Sequence, residues 1–294
     1  MACVQSYIRC ALLFLVGGIA SPVASEDVGD PVALEFLGSW KIYAHHEDFE
    51  EPSGLVFDPE TEEFLVISDN TDRFYSLSAS GERVKDIGVI DHLEDPEGVT
   101  LDVQRGRLLV LSEDQAAIYV IPRDTPENVE KYALKKVIEN ASDEVRDLLE
   151  GRFSPEGITI DATTGAVLLV NERSPRVLVE LSPDLTDILS VEPLSAENGF
   201  VVERVKEHHL DVSGLDYDAG RNALWIVSDT GESAFFWRRG QGPAQRFELL
   251  WKDDGGALRR IENAEGIALN PAGDRLFIIN DNDKKSRLFV YAVH

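Results

Sequence analysis

The chain has 294 residues, 28 of them basic and 54 acidic, for a formal net charge of −26. A surface of that sign repels phosphate backbones and anionic lipid headgroups, which argues against nucleic-acid binding and electrostatic membrane docking; it suits cations, basic partners or plain solubility. Both cysteines, Cys3 and Cys10, fall within the first 25 residues, so the remaining 269 must be held by an apolar core, without disulfides or thiolate chemistry.

In chain order, Arg9 precedes an apolar run from Ala11 to Ala20, followed by the small residues Val23, Ala24 and Ser25. This is the pattern of a secretory signal peptide cleaved after Ser25. The apolar run is about half the length of a bilayer-spanning helix, so an uncleaved anchor is the alternative, and membrane association is expected only through it or a partner. Residues 26–37 read as a lead-in and 38–294 as a single domain.

From there one short motif recurs. Pro52-Ser53-Gly54-Leu55, Pro96-Glu97-Gly98-Val99, Pro155-Glu156-Gly157-Ile158, Val212-Ser213-Gly214-Leu215 and Ala264-Glu265-Gly266-Ile267 align on their glycines, at spacings of 44, 59, 57 and 52. Periods of this size indicate β-propeller blades. Each copy opens a short apolar strand that ends in Asp58, Asp102, Asp161, Asp218 or Asn270, followed by a turn. A second, continuously apolar strand follows in each unit (64–67, 108–111, 167–170, 224–227 and 276–279), as expected of strands buried on both faces. A third strand is expected at 74–77, 117–121, 177–181, 235–237 and 288–291. A fourth, more polar strand follows in the first four units, as at 245–250, whereas the fifth unit runs out of chain. The stretch from Leu34 to Ala44 is placed to supply that missing outer strand and close the ring. The expected fold is therefore all-β, a five-bladed propeller of four-stranded antiparallel blades, with six blades as the alternative. The long spacings are attributed to an N-capped helical turn at 142–149 and to a second insertion at 195–209.

The glycines are expected to let the innermost strands crowd the axis. The residue before each opens the innermost strand near the channel mouth, and in three units it is a glutamate: Glu97, Glu156 and Glu265. The second strands return to that mouth and end in Asp69, Glu113, Glu172, Asp229 and Asp281. Two carboxylates about 5 Å apart repel by roughly 3 kcal/mol at an effective dielectric of about 20. Several around one channel need a cation, a shared proton or an arginine. Oxygen-only donors favour a hard ion, and calcium tolerates irregular coordination better than magnesium. The candidate metal ligands are Glu97, Glu156, Glu265, Glu113 and Glu172. The competing expectation is that the strand-end acids bond turn amides and that the glutamates bond neighbouring blades, with Arg173 or Arg73 compensating. His45-His46 and His208-His209 lack metal-binding spacing, and Ser53 and Ser213 lack a nucleophile elbow. Trp225, Trp237 and Trp251 read as packing residues.

The ordered set Val110-Leu111-Ser112-Glu113-Asp114, Pro155-Glu156-Gly157-Ile158, Asn171-Glu172-Arg173-Ser174-Pro175, Leu210-Asp211-Val212-Ser213-Gly214 and Ala264-Glu265-Gly266-Ile267-Ala268 resembles the SdiA-regulated, YjiK-like propellers of bacterial envelopes. The resemblance spans roughly residues 38–291. It implies five blades, a calcium site and an envelope role. Glu156 and Glu265 stand where the family also has glutamate before glycine, and Glu113 and Glu172 fall at matching strand ends; Asp281 departs from the expected glutamate. The expected protein is a periplasmic or envelope-associated, non-catalytic calcium-binding propeller acting in calcium response or with envelope proteins. The alternative is a calcium-dependent hydrolase of esters, lactones or phosphoesters.

Overall fold

A computed structural model describes residues 31–42, 49, 51–81 and 84–294. The signal-peptide assignment and the His45-His46 pair lie outside the described residues. Strand β1 (Leu34–Lys41) is followed by four complete blades. Blade 1 is β2 (Pro52–Asp58), β3 (Glu63–Ser68), β4 (Arg73–Ser78) and β5 (Val84–Val89). Blade 2 is β6 (Pro96–Asp102), β7 (Arg107–Ser112), β8 (Ala117–Pro122) and β9 (Glu130–Ala133). Blade 3 is β10 (Pro155–Ile160), β11 (Val167–Asn171), β12 (Val177–Leu181) and β13 (Ile188–Pro193). Blade 4 is β14 (Leu215–Asp218), β15 (Ala223–Ser228), β16 (Ser233–Trp237) and β17 (Gln245–Glu248).

A separate hairpin, β18 (Leu250–Lys252) and β19 (Leu258–Arg260), precedes blade 5, which is β20 (Ala264–Leu269), β21 (Arg275–Asn280) and β22 (Arg287–Val293). Its fourth strand is β1, running antiparallel to β22 with Leu34 opposite Val293 and Lys41 opposite Arg287. The innermost strands form a closed cycle in which β2 lies beside β6, β6 beside β10, β10 beside β14, β14 beside β20, and β20 again beside β2. The fold is a five-bladed β-propeller.

Turn chemistry shapes each innermost hairpin in the same way. The residue that ends the strand, or directly follows it, folds its side chain back onto turn amides. Asp58 Oδ1 accepts from Glu60 N at 3.0 Å, Asp102 Oδ1 from Arg105 N at 3.1 Å, and Asp161 Oδ1 from Thr163 N at 2.8 Å. Asp218 Oδ1 accepts from Arg221 N at 3.0 Å and Asn270 Oδ1 from Asp274 N at 3.1 Å. Such side-chain-to-backbone bonds set the turn without needing the strand's own amides. The second strands are buried on both faces, since blades pack against them from two sides; residues 167–171 of β11 and 223–228 of β15 are buried throughout. Five apolar clusters result, one in each gap between blades. The gap between blades 4 and 5, for example, holds Trp225, Phe236, Ile267 and Phe289.

The insertions differ in detail from expectation. Helix α2 (Asp143–Leu149) forms with Ser142 Oγ capping Val145 N, but a further helix, α1 (Leu134–Glu139), precedes it and packs Leu134 and Val137 between blades 2 and 3. The insertion at 195–209 forms short 3₁₀ turns and sends Phe200 into the core against Phe235 and Trp237. The strand expected at 245–250 stops at Glu248. Leu249 donates to the Glu232 carbonyl, and the chain then turns into the β18–β19 hairpin. Among the described residues no helix is long and apolar enough to cross a membrane.

Candidate metal centre

The five glycines sit where the innermost strands meet. A Cβ on Gly98 would lie 2.9 Å from the Glu156 carbonyl oxygen, and one on Gly157 would lie 2.7 Å from that of Ser213. A Cβ on Gly214 would lie 2.2 Å from the Glu265 carbonyl oxygen, and Gly266 and Gly54 abut Leu55 and Val99 in the same cyclic order. Only a residue without a side chain permits this approach.

Immediately before each glycine the ladder carries one extra residue. Pro52 faces Ser68 while Gly54 faces Ile67, and the same slip occurs between Pro96 and Gly98, Pro155 and Gly157, and Ala264 and Ile267. In blade 4, Ser213 N donates to the Val227 carbonyl while Val227 N donates to the Gly214 carbonyl, which is the same bulge. A bulge breaks the in–out alternation and re-aims one side chain. Here it turns Ser53, Glu97, Glu156, Ser213 and Glu265 into one cavity of about 240 Å³ at the channel mouth.

Below this ring the channel is nearly filled. Leu55, Val99, Ile158, Leu215 and Ile267 follow the glycines and leave a void of only about 10 Å³. The mouth is therefore a cup with an apolar floor.

The strand-end acids are held at the mouth because the residue before each is buried, and in three of the strands it is pinned by a hydrogen bond to a backbone carbonyl. Ser112 Oγ donates to the Glu94 carbonyl at 2.6 Å, Asn280 Nδ2 to the Glu262 carbonyl at 3.0 Å, and Asn171 Nδ2 to the Arg152 carbonyl at 3.3 Å. Asp69, Glu172, Asp229 and Asp281 line the cup, as do Glu51 and Asp211. With the three glutamates this makes nine carboxylates among the described residues, against one cation, Arg173. Glu113 stands apart at the rim. It accepts a hydrogen bond from Ser154 Oγ and clusters with Asp95 and Glu97, one carboxylate oxygen from each of the three lying within 4.8 Å of the others.

The competing expectations divide between residues. Serine, rather than glutamate, joins neighbouring blades: Ser53 Oγ donates to the Pro96 carbonyl at 2.5 Å and Ser213 Oγ to the Ala264 carbonyl at 2.7 Å. Those hydroxyls are committed to structure. Arg73 is engaged with Asp86 and does not compensate the mouth, while Arg173 pairs with Glu172. Asp229 accepts from Asn263 N at 2.7 Å and Asp281 from Asp283 N at 3.3 Å. The trio of glutamates has no ion-pair partner among the described residues. Oδ1 of Asp69 is buried without a hydrogen-bond partner. His208 and His209 are exposed, stack edge to face with ring centres 4.2 Å apart, and are not among the residues lining the cup.

Electrostatics follow from this crowding. Burial, then the carboxylates of Asp95 and Asp69, pushes Glu97 up to about 9. Burial, then Glu172 and Glu265, pushes Glu156 up to about 11. Burial, then Glu97 and Asp229, raises Glu265 well above the usual carboxylate range. Asp69 rises to about 7 through burial and Glu51. Without a cation, the folded cup holds protons at neutral pH on groups that are anionic in the unfolded chain. Asp95, Asp211 and Glu51 head their copies of the motif, two positions before its glutamate or serine, but were not read as site residues; the other two copies carry Ser154 and Asn263 there, so the acidic character of that position shows in only three of five units.

Among solved structures, the chain is similar to glutaminyl cyclase of Myxococcus xanthus, with 14% identity and a TM-score of 0.56 over 88% of this chain and 96% of that one. It is also similar to a gluconolactonase from Xanthomonas campestris, with 15% identity and a TM-score of 0.51 over 91% and 96% of the two chains. A chain of a nidogen/laminin complex shows 16% identity and a TM-score of 0.50 over 83% and 85%. At these identities the likeness is one of fold. No curated protein matches the chain at a significant level of sequence similarity. The sequence model of one family, SdiA-regulated, matches residues 44–283. With its motifs at the bulged mouth of a five-bladed ring, the chain belongs to the SdiA-regulated family.

Proposed function

We propose that this chain is an exported calcium-binding propeller of the cell envelope, working as a calcium-dependent binding module without covalent chemistry of its own. The observation that carries the reading is the cup itself, with nine carboxylates facing one arginine. The donor set is all oxygen, which suits a hard cation, and its irregular disposition suits calcium better than octahedral magnesium. Glu97, Glu156 and Glu265 would hold the ion, with Asp69, whose Oδ1 lacks a partner, contributing at the wall. The apolar leader sequence supports export, and the family supports an envelope role.

The test is a calcium titration of the chelator-stripped protein, followed by melting temperature. At about 100 times Kd the ion should raise the melting point by roughly 5–10 °C. The response should vanish in a variant carrying Glu156→Gln with Glu265→Gln. A flat titration of the wild-type protein, or an equal shift in the double variant, sinks the metal assignment.

One observation favours a second reading, a calcium-dependent hydrolase. A cavity of about 240 Å³ has room for several water-sized groups beyond an ion. A bound calcium supplies a Lewis acid for a carbonyl or phosphoryl oxygen. Arg173 at the wall would then orient an anionic substrate. Turnover of lactones, aryl esters or phosphoesters that is lost with chelator distinguishes this reading from the first.

A further inference from the structure

A second cavity, of about 680 Å³, opens between the β18–β19 hairpin and the outer part of blade 5. Its volume falls in the range of small-molecule sites. Its charge is opposite to that of the rest of the protein. Lys41, Arg259, Arg260, Lys285 and Arg287 line it, against Asp253, Asp254 and Glu262.

At its centre is an arginine with an unusual counter-ion. The Arg287 side chain is only 11% exposed. Its guanidinium carbon lies 4.8 Å from the centre of the Trp251 ring, and its Nε donates to Ser39 Oγ at 3.2 Å. Trp251 is itself fixed, by its indole N–H to the Arg260 carbonyl at 3.2 Å and by an edge contact with Phe289. A guanidinium so desolvated and oriented ordinarily faces a carboxylate held as firmly as itself. Among the described residues its one carboxylate partner is Asp254, at 3.2 Å, whose side chain is 74% exposed. Asp254 lies at the hairpin tip beside Gly255 and Gly256, and Lys41 approaches its other oxygen at 3.9 Å. Arg287 is thus largely buried and held on three sides, whereas its anionic partner is exposed.

We infer that the groove is a receptor for a small carboxylate-bearing molecule, and that Asp254 occupies the anion's seat until the ligand displaces it. A ligand carboxylate would take the Arg287 fork and the Lys41 ammonium together, with Lys285 along the groove for a second acidic group; Arg260 is already paired with Glu248 at 3.3 Å and Glu232 at 3.6 Å. The inference is independent of calcium at the channel mouth.

The experiment is calorimetric titration of tricarballylate and of inorganic phosphate into the full-length protein in excess chelator, with tryptophan fluorescence as a second readout. Tricarballylate should bind and perturb the fluorescence. Asp254→Asn should tighten binding by about two- to fivefold, because the internal competitor is an exposed ion pair. Arg287→Gln should weaken it by about tenfold or more. The Asp254 substitution is at an exposed hairpin tip, so it tests the idea even if the Arg287 variant fails to fold. No binding by either the wild type or Asp254→Asn, or equal affinities in the two, overturns the proposal. Phosphate binding as tightly as tricarballylate overturns the assignment to carboxylates.

Discussion

Replacing Glu156 with glutamine should stabilise the metal-free protein. Glutamine keeps the shape of the side chain and removes its charge. In the fold, burial and then the neighbouring carboxylates raise Glu156 from 4.5 to about 11. At pH 7 the folded state therefore binds a proton that the unfolded chain releases. The penalty is absent below about pH 4.5, where both states are protonated, and it grows as pH rises toward the folded value. At pH 7 the gap is about 2.5 pH units, or about 3 kcal/mol. The cup is open to solvent, so an observed gain of about 1–2 kcal/mol is the reasonable expectation after screening. Urea unfolding in excess chelator at pH 7 and at pH 4.5 measures it. The variant should be the more stable protein at pH 7, and the difference should shrink toward zero at pH 4.5. In saturating calcium the order should reverse, because the variant lacks a ligand. A variant less stable than wild type in chelator at pH 7 would refute the reasoning, since Glu156 would then be held as an anion by partners the cup does not show.

Two further substitutions test the architecture. Gly157→Ala places a Cβ 2.7 Å from both the Ser213 carbonyl oxygen and a Val170 methyl, and should cost about 3 kcal/mol. Gly220→Ala meets nothing closer than 3.5 Å and should melt close to wild type in the same thermal scan. Ser213→Ala removes the 2.7 Å bond to the Ala264 carbonyl and should cost about 1 kcal/mol while leaving the calcium response intact. Loss of that response would mean that the serine belongs to the ion site.

The blade count and the mouth were legible in the sequence because they rest on hard sterics. No residue other than glycine fits where the Glu265 carbonyl oxygen would lie 2.2 Å from a Cβ, so the motif recurs in all five units and marks the period. The glutamates were legible because they vary against that fixed frame: serine stands where a side chain must bridge blades, and glutamate where it faces the cup. Glu113 falls at the rim, where one oxygen each of Glu113, Asp95 and Glu97 come within 4.8 Å; sequence position gives the mouth but not how far each side chain reaches into it. Helix α1 was missed because Leu134, Val137 and Ile138 fill a gap between blades, and tertiary packing rather than a capping signal fixes it. The β18–β19 hairpin was missed because Leu250–Lys252 continues the sequence of β17 without a turn residue; the break comes from Leu249, whose burial against blade 5 diverts the chain.

The pairing of β1 with β22 also governs the order of assembly. Leu34 meets Val293 across nearly the whole chain, and closing a loop of that length costs about 5 kcal/mol in chain entropy beyond its fixed term. Nothing local can repay that cost early. Blades 1 to 4 are each built from consecutive strands and can form as their own segments become available, but blade 5 waits for both distant partners. Until they meet, the apolar flank of β22 and the inner face of β1 remain open edges. The ring thus has a single seam. The cup, built from bulges in all five blades, takes its final shape only after the seam is shut, so an ion bound as proposed would report whether assembly has finished.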